Sequence, residues 1–342
     1  MGVVVIAVVS FCYLVTAGYW GVSTTDIIQG ITIAVSCLLV AVIVITKSGG
    51  VTAAVTYMGS VSPSHIQPSS GLTFAQLFSW AGVWALIAFG QPQLVTKFMG
   101  LRDSRTVGTV IRVAVVWEII FMVSIAMIGA AAFKLFRAVP FDNVDAIVPT
   151  LVAEHTNAVV SGIFLCGILA AGLSTTVALV LTSSGAVTKD IYEDYYCARS
   201  NAKQDSGKSV RISRIATGII LVVVVIGSIY PPDFIWSLST MSAGVMGAAF
   251  TAPLVLGLYW KRATRQGCMA GIIGGSAVSI IWYFAGLTSV VHSFVPGTAV
   301  SFLLMVLVSL CTPRMEEEHL DVFFEPGCSK NKIQAAIAAG SK

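Results

Sequence analysis

The chain has 342 residues, of which 56% are hydrophobic and only 11% are charged, and its formal net charge is +4 at pH 7. Soluble domains carry about 25% charged residues, so this composition excludes an ordinary soluble protein and indicates a multi-pass protein of the lipid bilayer. The sequence contains no recognisable nucleotide loop, metal-catalytic set or nucleophile triad, and we therefore expect neither an enzyme nor a nucleic-acid partner.

Nine continuously apolar segments predict an all-α, polytopic membrane protein with about nine transmembrane helices. Barrel strands would alternate apolar and polar residues with a period of two, and these segments do not. A membrane-spanning helix needs roughly 20 predominantly apolar residues, which most of them supply. The predicted spans are 2–18, 26–46, 73–93, 112–135, 157–187, 211–230, 234–260, 267–286 and 294–312.

The basic residues are concentrated in alternate loops. Thirteen of the 20 Lys and Arg fall in 97–112, 189–214 and 261–265. Loops rich in Lys and Arg stay on the cytoplasmic side, so nine spans place the N-terminus of this chain outside and its C-terminus in the cytoplasm. We therefore expect a multi-pass protein of the inner (plasma) membrane, with a cytoplasmic tail over 314–342.

The chain begins with an apolar segment whose pattern does not fit a cleaved signal peptide. Met1 leads directly into Val3–Val9, without a basic region or a small-residue cleavage site. A cleaved signal peptide is therefore not expected. Because a helix inserted with its N-terminus outside usually follows earlier spans, we expect that spans preceding Met1 are missing from this sequence.

The polar segments between the predicted spans are expected to be loops. Segment 46–72 is rich in Gly, Ser and Pro and predicts an outer loop, and 136–154 predicts a second one with a short helix at its end. Segment 189–210 mixes both signs of charge and predicts a solvated cytoplasmic connector. His65 and His292 fall in outer loops and are interpreted as solvated.

A carboxylate opens the second predicted span. Asp26 is followed three residues later by Gln29, which is close to a capping-box pattern. One interpretation of Asp26 is therefore a helix N-cap, and the charge pattern places it on the cytoplasmic side.

A Gly-Gln-Pro triplet near the end of the third predicted span indicates a broken helix. Proline lacks a backbone donor and disrupts a helix, and irregular backbone at membrane depth is tolerated where it is buried in protein or lines a cavity. Discontinuous helices of this kind form binding sites in transporters. Trp84, Ala88 and Gln91 share one helical face, and with Pro92 they are the substrate-binding candidates. The alternative is that Trp84 is an interfacial or packing residue.

Two adjacent hydroxyl residues interrupt the fifth predicted span. Ala171, Ser174 and Thr175 lie on one helical face by their i, i+3, i+4 spacing. Two hydroxyls and one carbonyl would offer three neutral oxygens, the ligand type that hard cations prefer, and a neutral set can release a monovalent ion readily. The alternative is that the hydroxyls bond back to carbonyls of their own helix or join neighbouring helices.

Three glycines repeat every four residues in the eighth predicted span. Gly267, Gly271 and Gly275 share a helix face. Small residues at that spacing let helix backbones approach closely, so this pattern predicts helix packing.

Four segments carry a resemblance to a known family. In chain order they are the Thr25–Gly30 stretch with its Asp26, the run Trp84–Met99, the segment Gly167–Tyr192, and Leu256–Arg262 with the glycines that follow. They resemble motifs that occur in the same order in the sodium:solute symporter family. The run Trp84–Met99 resembles the corresponding helix of bacterial sodium/proline symporters, and Gly167–Tyr192 resembles the family's helix that carries its second sodium site. The segment Leu256–Arg262 is closer to the sodium/pantothenate branch. The resemblance extends to about Pro313.

That resemblance implies a leucine-transporter-like, inverted-repeat fold of ten core helices. By likeness, the first two spans match core helices four and five, the next five match core helices six to ten, and the last two are peripheral. Residues 1–313 would then be a partial symporter domain that lacks the first core helices. The resemblance also implies sodium-coupled import of a small organic solute, an amino acid such as proline or a carboxylate such as pantothenate.

The resemblance implies roles for the candidate residues as well. It makes Ala171, Ser174 and Thr175 a sodium site, with Na+ as the coupling ion, and puts Asp26 on the sodium release path. At Ala88 the chain departs from the proline symporters, which carry an aromatic residue there. Two alternatives stay open: a truncated chain that does not transport, and a membrane sensor built on the same helical module.

Overall fold

A computed structural model describes residues 2–67, 71–101, 104–137, 142–200, 205–229, 235–315 and 320. Within these residues the regular secondary structure is entirely helical, which confirms the all-α prediction, and each of the nine predicted spans coincides with a helix. Helices satisfy their own backbone hydrogen bonds, so they are the form that long apolar segments take in hydrocarbon. The helices are α1 (Gly2–Lys47), α2 (Val51–Val61), α3 (Phe74–Gly90), α4 (Pro92–Met99), α5 (Ser104–Leu135), α6 (Ile147–His155), α7 (Ala158–Ala186), α8 (Ala198–Ser200), α9 (Ser206–Ile229), α10 (Ile235–Tyr259), α11 (Arg265–Phe284) and α12 (Phe294–Cys311).

Seven helical stretches of the described residues are long and apolar enough to cross a membrane. They are Trp20–Lys47, Arg105–Leu135, Ala158–Cys197, Ser206–Ile229, Ile235–Tyr259, Arg265–Phe284 and Phe294–Cys311. The first and third predicted spans correspond to shorter apolar helices, Val4–Thr16 and Phe74–Gly90. Nine membrane crossings therefore stay a prediction.

Helix α1 contains two predicted spans that meet at a break. Gly18 has φ 58° and ψ −165°, a backbone conformation outside the helical region. Such a conformation is available essentially to glycine alone, because a Cβ would clash with the backbone. Asp26 lies well inside the helix that follows this break, so its interpretation as an N-cap is wrong.

Two segments predicted as loops are partly helical. Helix α2 falls within 46–72, and its Ala54 is fully buried in a hydrophobic core. The predicted connector 189–210 begins with a π-helical stretch, Val187–Cys197, that continues α7. Lys189 Nζ lies 3.4 Å from a Glu193 carboxylate oxygen, one helical turn away. The charges of both signs in this part of the segment therefore belong to the surface of a helix and not to a loop. The short helix expected at the end of 136–154 is confirmed as α6.

The described chain forms two compact units. The first comprises Met1–Gly71 and Gly100–Phe234. In its main core, Val40 and Val44 of α1 pack with Leu151 of α6 and with residues of α2, α5 and α7. In a second core, Val22 of α1 packs with Val177 and Val180 of α7 and with a leucine of α9.

The second unit comprises Leu72–Met99 and Ile235–Lys342. It joins α3 and α4 to α10, α11 and α12. Gly267, Gly271 and Gly275 are buried on α11. A Cβ on Gly271 would lie 3.0 Å from the carbonyl oxygen of Ser301 on α12, so the glycine repeat is a helix-packing seam, as predicted.

Candidate ion and solute sites

The hydroxyl pair of α7 converges on one carbonyl oxygen. Ser174 Oγ donates to the carbonyl oxygen of Ala171 at 3.1 Å, and Thr175 Oγ1 donates to the same oxygen at 3.0 Å. The structure thus brings the three predicted oxygens together within the first unit. Ser174 is half-buried and Thr175 is exposed. Because both hydroxyl hydrogens are directed at Ala171, the lone pairs of both hydroxyl oxygens are available to a cation.

This geometry is compatible with both interpretations of the hydroxyl pair, a cation site and hydrogen bonding within the helix. The bonds to Ala171 are the backbone-directed bonds that serine and threonine make within a helix. Thr182, two turns further along α7, makes the same bond to the carbonyl oxygen of Ala178 at 2.9 Å. What distinguishes Ser174 and Thr175 from Thr182 is the pairing of two hydroxyls at one acceptor.

Asp26 lies on the helix that packs against this part of α7. A Cβ on Gly167 of α7 would meet the side chain of Ser36 of α1, and Val22 of α1 packs with Val180 of α7. These two contacts show that the helices run antiparallel. This register puts Asp26 level with residues 176–177 of α7, so with a rise of about 1.5 Å per residue it lies within about 3 Å of Thr175 along the axis.

The Gly-Gln-Pro triplet breaks the helix where the sequence predicted. Helix α3 ends at Gly90, Gln91 is extended with φ −100° and ψ 103°, and α4 begins at Pro92. The carbonyl oxygen of Gln91 accepts from Leu94 N at 3.0 Å and so starts the hydrogen bonds of α4. The amide side chain at this break is half-buried.

The face of α3 that leads to the break carries the other two substrate candidates. Trp84 is 53% exposed and Ala88 is also exposed, so this face is open within the second unit. The ring of Trp84 lies 6.1 Å from that of Trp236 on α10. Trp84 is thus held by one aromatic neighbour while about half its surface stays accessible.

His292 is a residue whose environment the sequence interpretation missed. The sequence predicted a solvated His292, but this residue is only 1% exposed, so that prediction is wrong. Burial lowers the pKa of His292 to about 4. Its ring packs edge-on against Trp80 of α3, with 4.8 Å between ring centroids. A local signal was available, because the residues around it, Val290 to Phe294, include no charged side chain.

Comparison with known proteins identifies the family to which these features correspond. The profile of the sodium:solute symporter family matches residues 1–275. The osmoregulated proline transporter OpuE of Bacillus subtilis is 28% identical over 320 residues, which cover 92% of this chain and 64% of that protein. The high-affinity proline transporter PutP of the same organism is 27% identical, over 94% of this chain and 67% of that protein.

A third relative covers a similar share of this chain, and a solved structure has a similar fold. A sodium/proline symporter of Staphylococcus aureus is 24% identical over 92% of this chain and 62% of its own length. The chain thus spans about two thirds of the length of these relatives. A solved structure of a Na+-coupled sialic acid symporter, in a substrate-bound outward-open state, superposes with a TM-score of 0.73 at 19% identity. The superposition covers 92% of this chain and 67% of the symporter chain, and at this identity it shows only that the two share a fold.

Proposed function

The chain belongs to the sodium:solute symporter family, and on that premise we propose that it takes part in sodium-coupled import of a small organic solute. The relatives described as proline transporters make proline the first solute to test. Other amino acids and small carboxylates such as pantothenate are the next. No covalent chemistry is needed, because the inward sodium gradient supplies the free energy.

The observation that carries the proposal is the pair of hydroxyls at Ala171. Ser174 and Thr175 present two neutral oxygens about 3 Å from a third. Sodium is a hard monovalent cation that oxygen ligands suit. Because no ligand in this set is charged, the ion is held weakly enough to leave on each cycle, as a coupled transporter requires.

The solute is proposed to dock at the break between α3 and α4. The exposed indole of Trp84 would form one wall, and Gln91 and the interrupted backbone before Pro92 would supply hydrogen bonds. Alanine at position 88 leaves room along the same face, which would admit a solute larger than one that packs against an aromatic residue there.

Transport would follow an alternating-access cycle. Sodium at Ser174 and Thr175 favours the conformation that binds solute, since a ligand shifts an equilibrium toward the state it binds better. The ion then leaves past Asp26, whose carboxylate attracts it. The basic loops support an orientation with the N-terminus of this chain outside and the C-terminus in the cytoplasm.

The test is sodium-dependent uptake of radiolabelled proline by the chain reconstituted in proteoliposomes. We expect Ser174→Ala and Thr175→Ala each to raise the sodium concentration for half-maximal uptake by about tenfold, since loss of one polar partner costs about 1–3 kcal/mol. Thr182→Ala is the matched control, because it removes a hydroxyl with the same kind of bond from the same helix.

Two outcomes would count against the proposal. If sodium dependence were equally unchanged in Ser174→Ala, Thr175→Ala and Thr182→Ala, the ion-site assignment would be wrong. If neither proline nor competing amino acids and pantothenate were taken up in response to a sodium gradient, transport by this chain would be rejected.

A further inference from the structure

The loop between α11 and α12 is fastened to the N-terminal half of α3. Gln76 Nε2 donates to the carbonyl oxygen of Ser289 at 2.6 Å, and His292 N donates to Ser79 Oγ at 3.3 Å. Trp282 Nε1 on α11 donates to the carbonyl oxygen of Val291 at 2.9 Å. The loop therefore holds α3 through two hydrogen bonds to residues one helical turn apart.

The imidazole of His292 occupies the centre of this attachment. Its Nδ1 accepts from Phe294 N at 3.2 Å, at the start of α12. A neutral imidazole that accepts at Nδ1 carries its proton on Nε2, and this Nε2 is buried without a hydrogen-bond partner in the described part of the chain. The ring is therefore held by one accepted hydrogen bond and by its packing against Trp80.

A line of ring contacts runs from His292 to the proposed solute wall. Trp80 stacks on Trp236 of α10 with 5.8 Å between centroids, and Trp236 lies 6.1 Å from Trp84. The line has a buried end at His292 and an exposed end, where Trp236 and Trp84 are each about half exposed. Closely packed rings restrict one another's orientation, so a displacement at the buried end reaches the exposed end.

The elements around His292 carry few groups that change charge. Helices α3, α10 and α12 contain no Asp, Glu, Lys or Arg, and Arg265 is the first residue of α11, at the far end from this loop. The titratable side chain on α11 that is nearest to the loop in sequence is Tyr283. Tyr259 and Cys311 end α10 and α12, and Cys268 lies in the first turn of α11, also far from the loop. Among the described residues of these four helices and of the loop, His292 is therefore the side chain through which acidification is expected to act.

We propose that His292 is a positioning residue for the solute site, which holds Trp80 in place and, through Trp236, sets the orientation of the Trp84 ring. This inference rests on the proposed function in taking Trp84 as a wall of that site. Protonation at Nδ1 would turn the acceptor for Phe294 N–H into a donor and abolish that hydrogen bond. The ring would then shift against Trp80, so acid would weaken solute binding.

Three variants separate the parts of this attachment. His292→Asn can keep an oxygen acceptor for Phe294 N–H but does not titrate, and His292→Phe keeps a packed ring without the acceptor. Gly244→Ala leaves His292 intact but adds a Cβ that would lie 3.1 Å from its Cε1 and 2.6 Å from Ser293 Oγ, and so displaces it. His65→Asn, at an exposed histidine, is the control.

The first readout is uptake kinetics at neutral pH in proteoliposomes. We expect His292→Phe and Gly244→Ala to raise the solute KM by about threefold to tenfold, the effect of one lost hydrogen bond, with little change in kcat. His292→Asn should keep the solute KM near that of the parent chain. A general loss of folded protein would instead lower the apparent kcat.

The second readout needs no transport and so separates this proposal from the proposed function. The emission of Trp80, taken as the difference between the parent chain and Trp80→Phe in detergent, should change as the pH falls toward about 4. A protonated imidazole quenches a neighbouring indole, so the change should persist in His65→Asn and be absent in His292→Asn.

An emission change in His292→Asn like that of the parent chain would overturn the proposal, as would a KM unaffected by both His292→Phe and Gly244→Ala. If no variant transports, a Trp84 emission difference that follows the same pH transition supports the coupling, and its absence rejects it.

Discussion

Gly90, the last residue of α3, lies against Gly247 of α10 so closely that a Cβ on Gly90 would be 2.6 Å from the Cα of Gly247. The same Cβ would be 2.8 Å from the carbonyl oxygen of Met246. Both obstacles are backbone atoms, which cannot rotate away. The glycine before the Gln91 break is therefore required by packing within the second unit.

Gly90→Ala should destabilise the protein. The added methyl group forces α3 away from α10, and overpacking of this kind costs about 1–3 kcal/mol. Thermal unfolding in detergent measures the loss as a lower melting temperature. Gly82→Ala is the control on the same helix, since a Cβ there meets nothing within 4 Å, and it should be neutral or stabilising. Equal shifts in the two variants would contradict the close contact with Gly247.

A second glycine pair tests the packing of α1 against α7. A Cβ on Gly167 would collide with the side chain of Ser36, whereas a Cβ on Gly172 meets nothing within 4 Å. Gly167→Ala should therefore lower the melting temperature and Gly172→Ala should not. Adding Ser36→Gly to Gly167→Ala should recover part of the loss, because the two positions are coupled. Additive effects of the two substitutions would show that they do not touch.

Stability should fall in acid because of His292. The folded-state pKa of this group is lowered to about 4 by burial, whereas an unfolded histidine titrates near 6.5. Above pH 6.5 both states are neutral and the full stability is present. As the pH falls from 6.5 toward 4, the unfolded state binds a proton that the folded state refuses, and stability is lost, by on the order of 3 kcal/mol at most.

The measurement is the melting temperature in detergent between pH 4 and pH 7.5. His292→Asn should show a flatter profile over this window than the parent chain, while His65→Asn, at an exposed site, should follow the parent. An identical acid slope in His292→Asn would assign the loss to other groups.

The break in α1 should tolerate only glycine. Gly18 has φ 58° and ψ −165°, and a Cβ there meets no neighbour within 4 Å, so any cost of Gly18→Ala comes from the backbone alone. A non-glycine residue in this region costs about 1–3 kcal/mol. Gly30→Ala, in the regular part of α1 and also without neighbours, is the matched control. A melting temperature equal to that of Gly30→Ala would refute the strain.

Solute preference should respond to position 88. Ala88→Phe places an aromatic ring beside Trp84 on an exposed face, so it should fill space in the proposed solute site without disturbing the core. We expect it to lower the KM for proline and raise it for bulkier solutes in competition uptake assays. Ala85→Phe, one residue after Trp84 and also exposed, should leave this preference unchanged.

Much of the architecture could be predicted from local pattern. The apolar runs located the helices of all nine predicted spans, and Gly90, Gln91 and Pro92 located the broken helix. Capping residues set several helix starts, as where Thr73 accepts from Gln76 N at 3.3 Å before α3. The interpretation of Asp26 as a cap was wrong for a related reason, since the helix already continues from just beyond Gly18.

Local sequence patterns were enough to predict a helical membrane protein, an interruption of its third predicted span and three oxygens on one face of α7. Each of these follows from residues within a few turns of one another, where run length, helical period and backbone chemistry decide the outcome. The burial of His292, its ring contacts through Trp80 and Trp236 to Trp84, and the contact of Gly90 with Gly247 became visible only in the packed helices. Those contacts join residues far apart in the chain, and the close packing of helices, rather than any local preference, selects them.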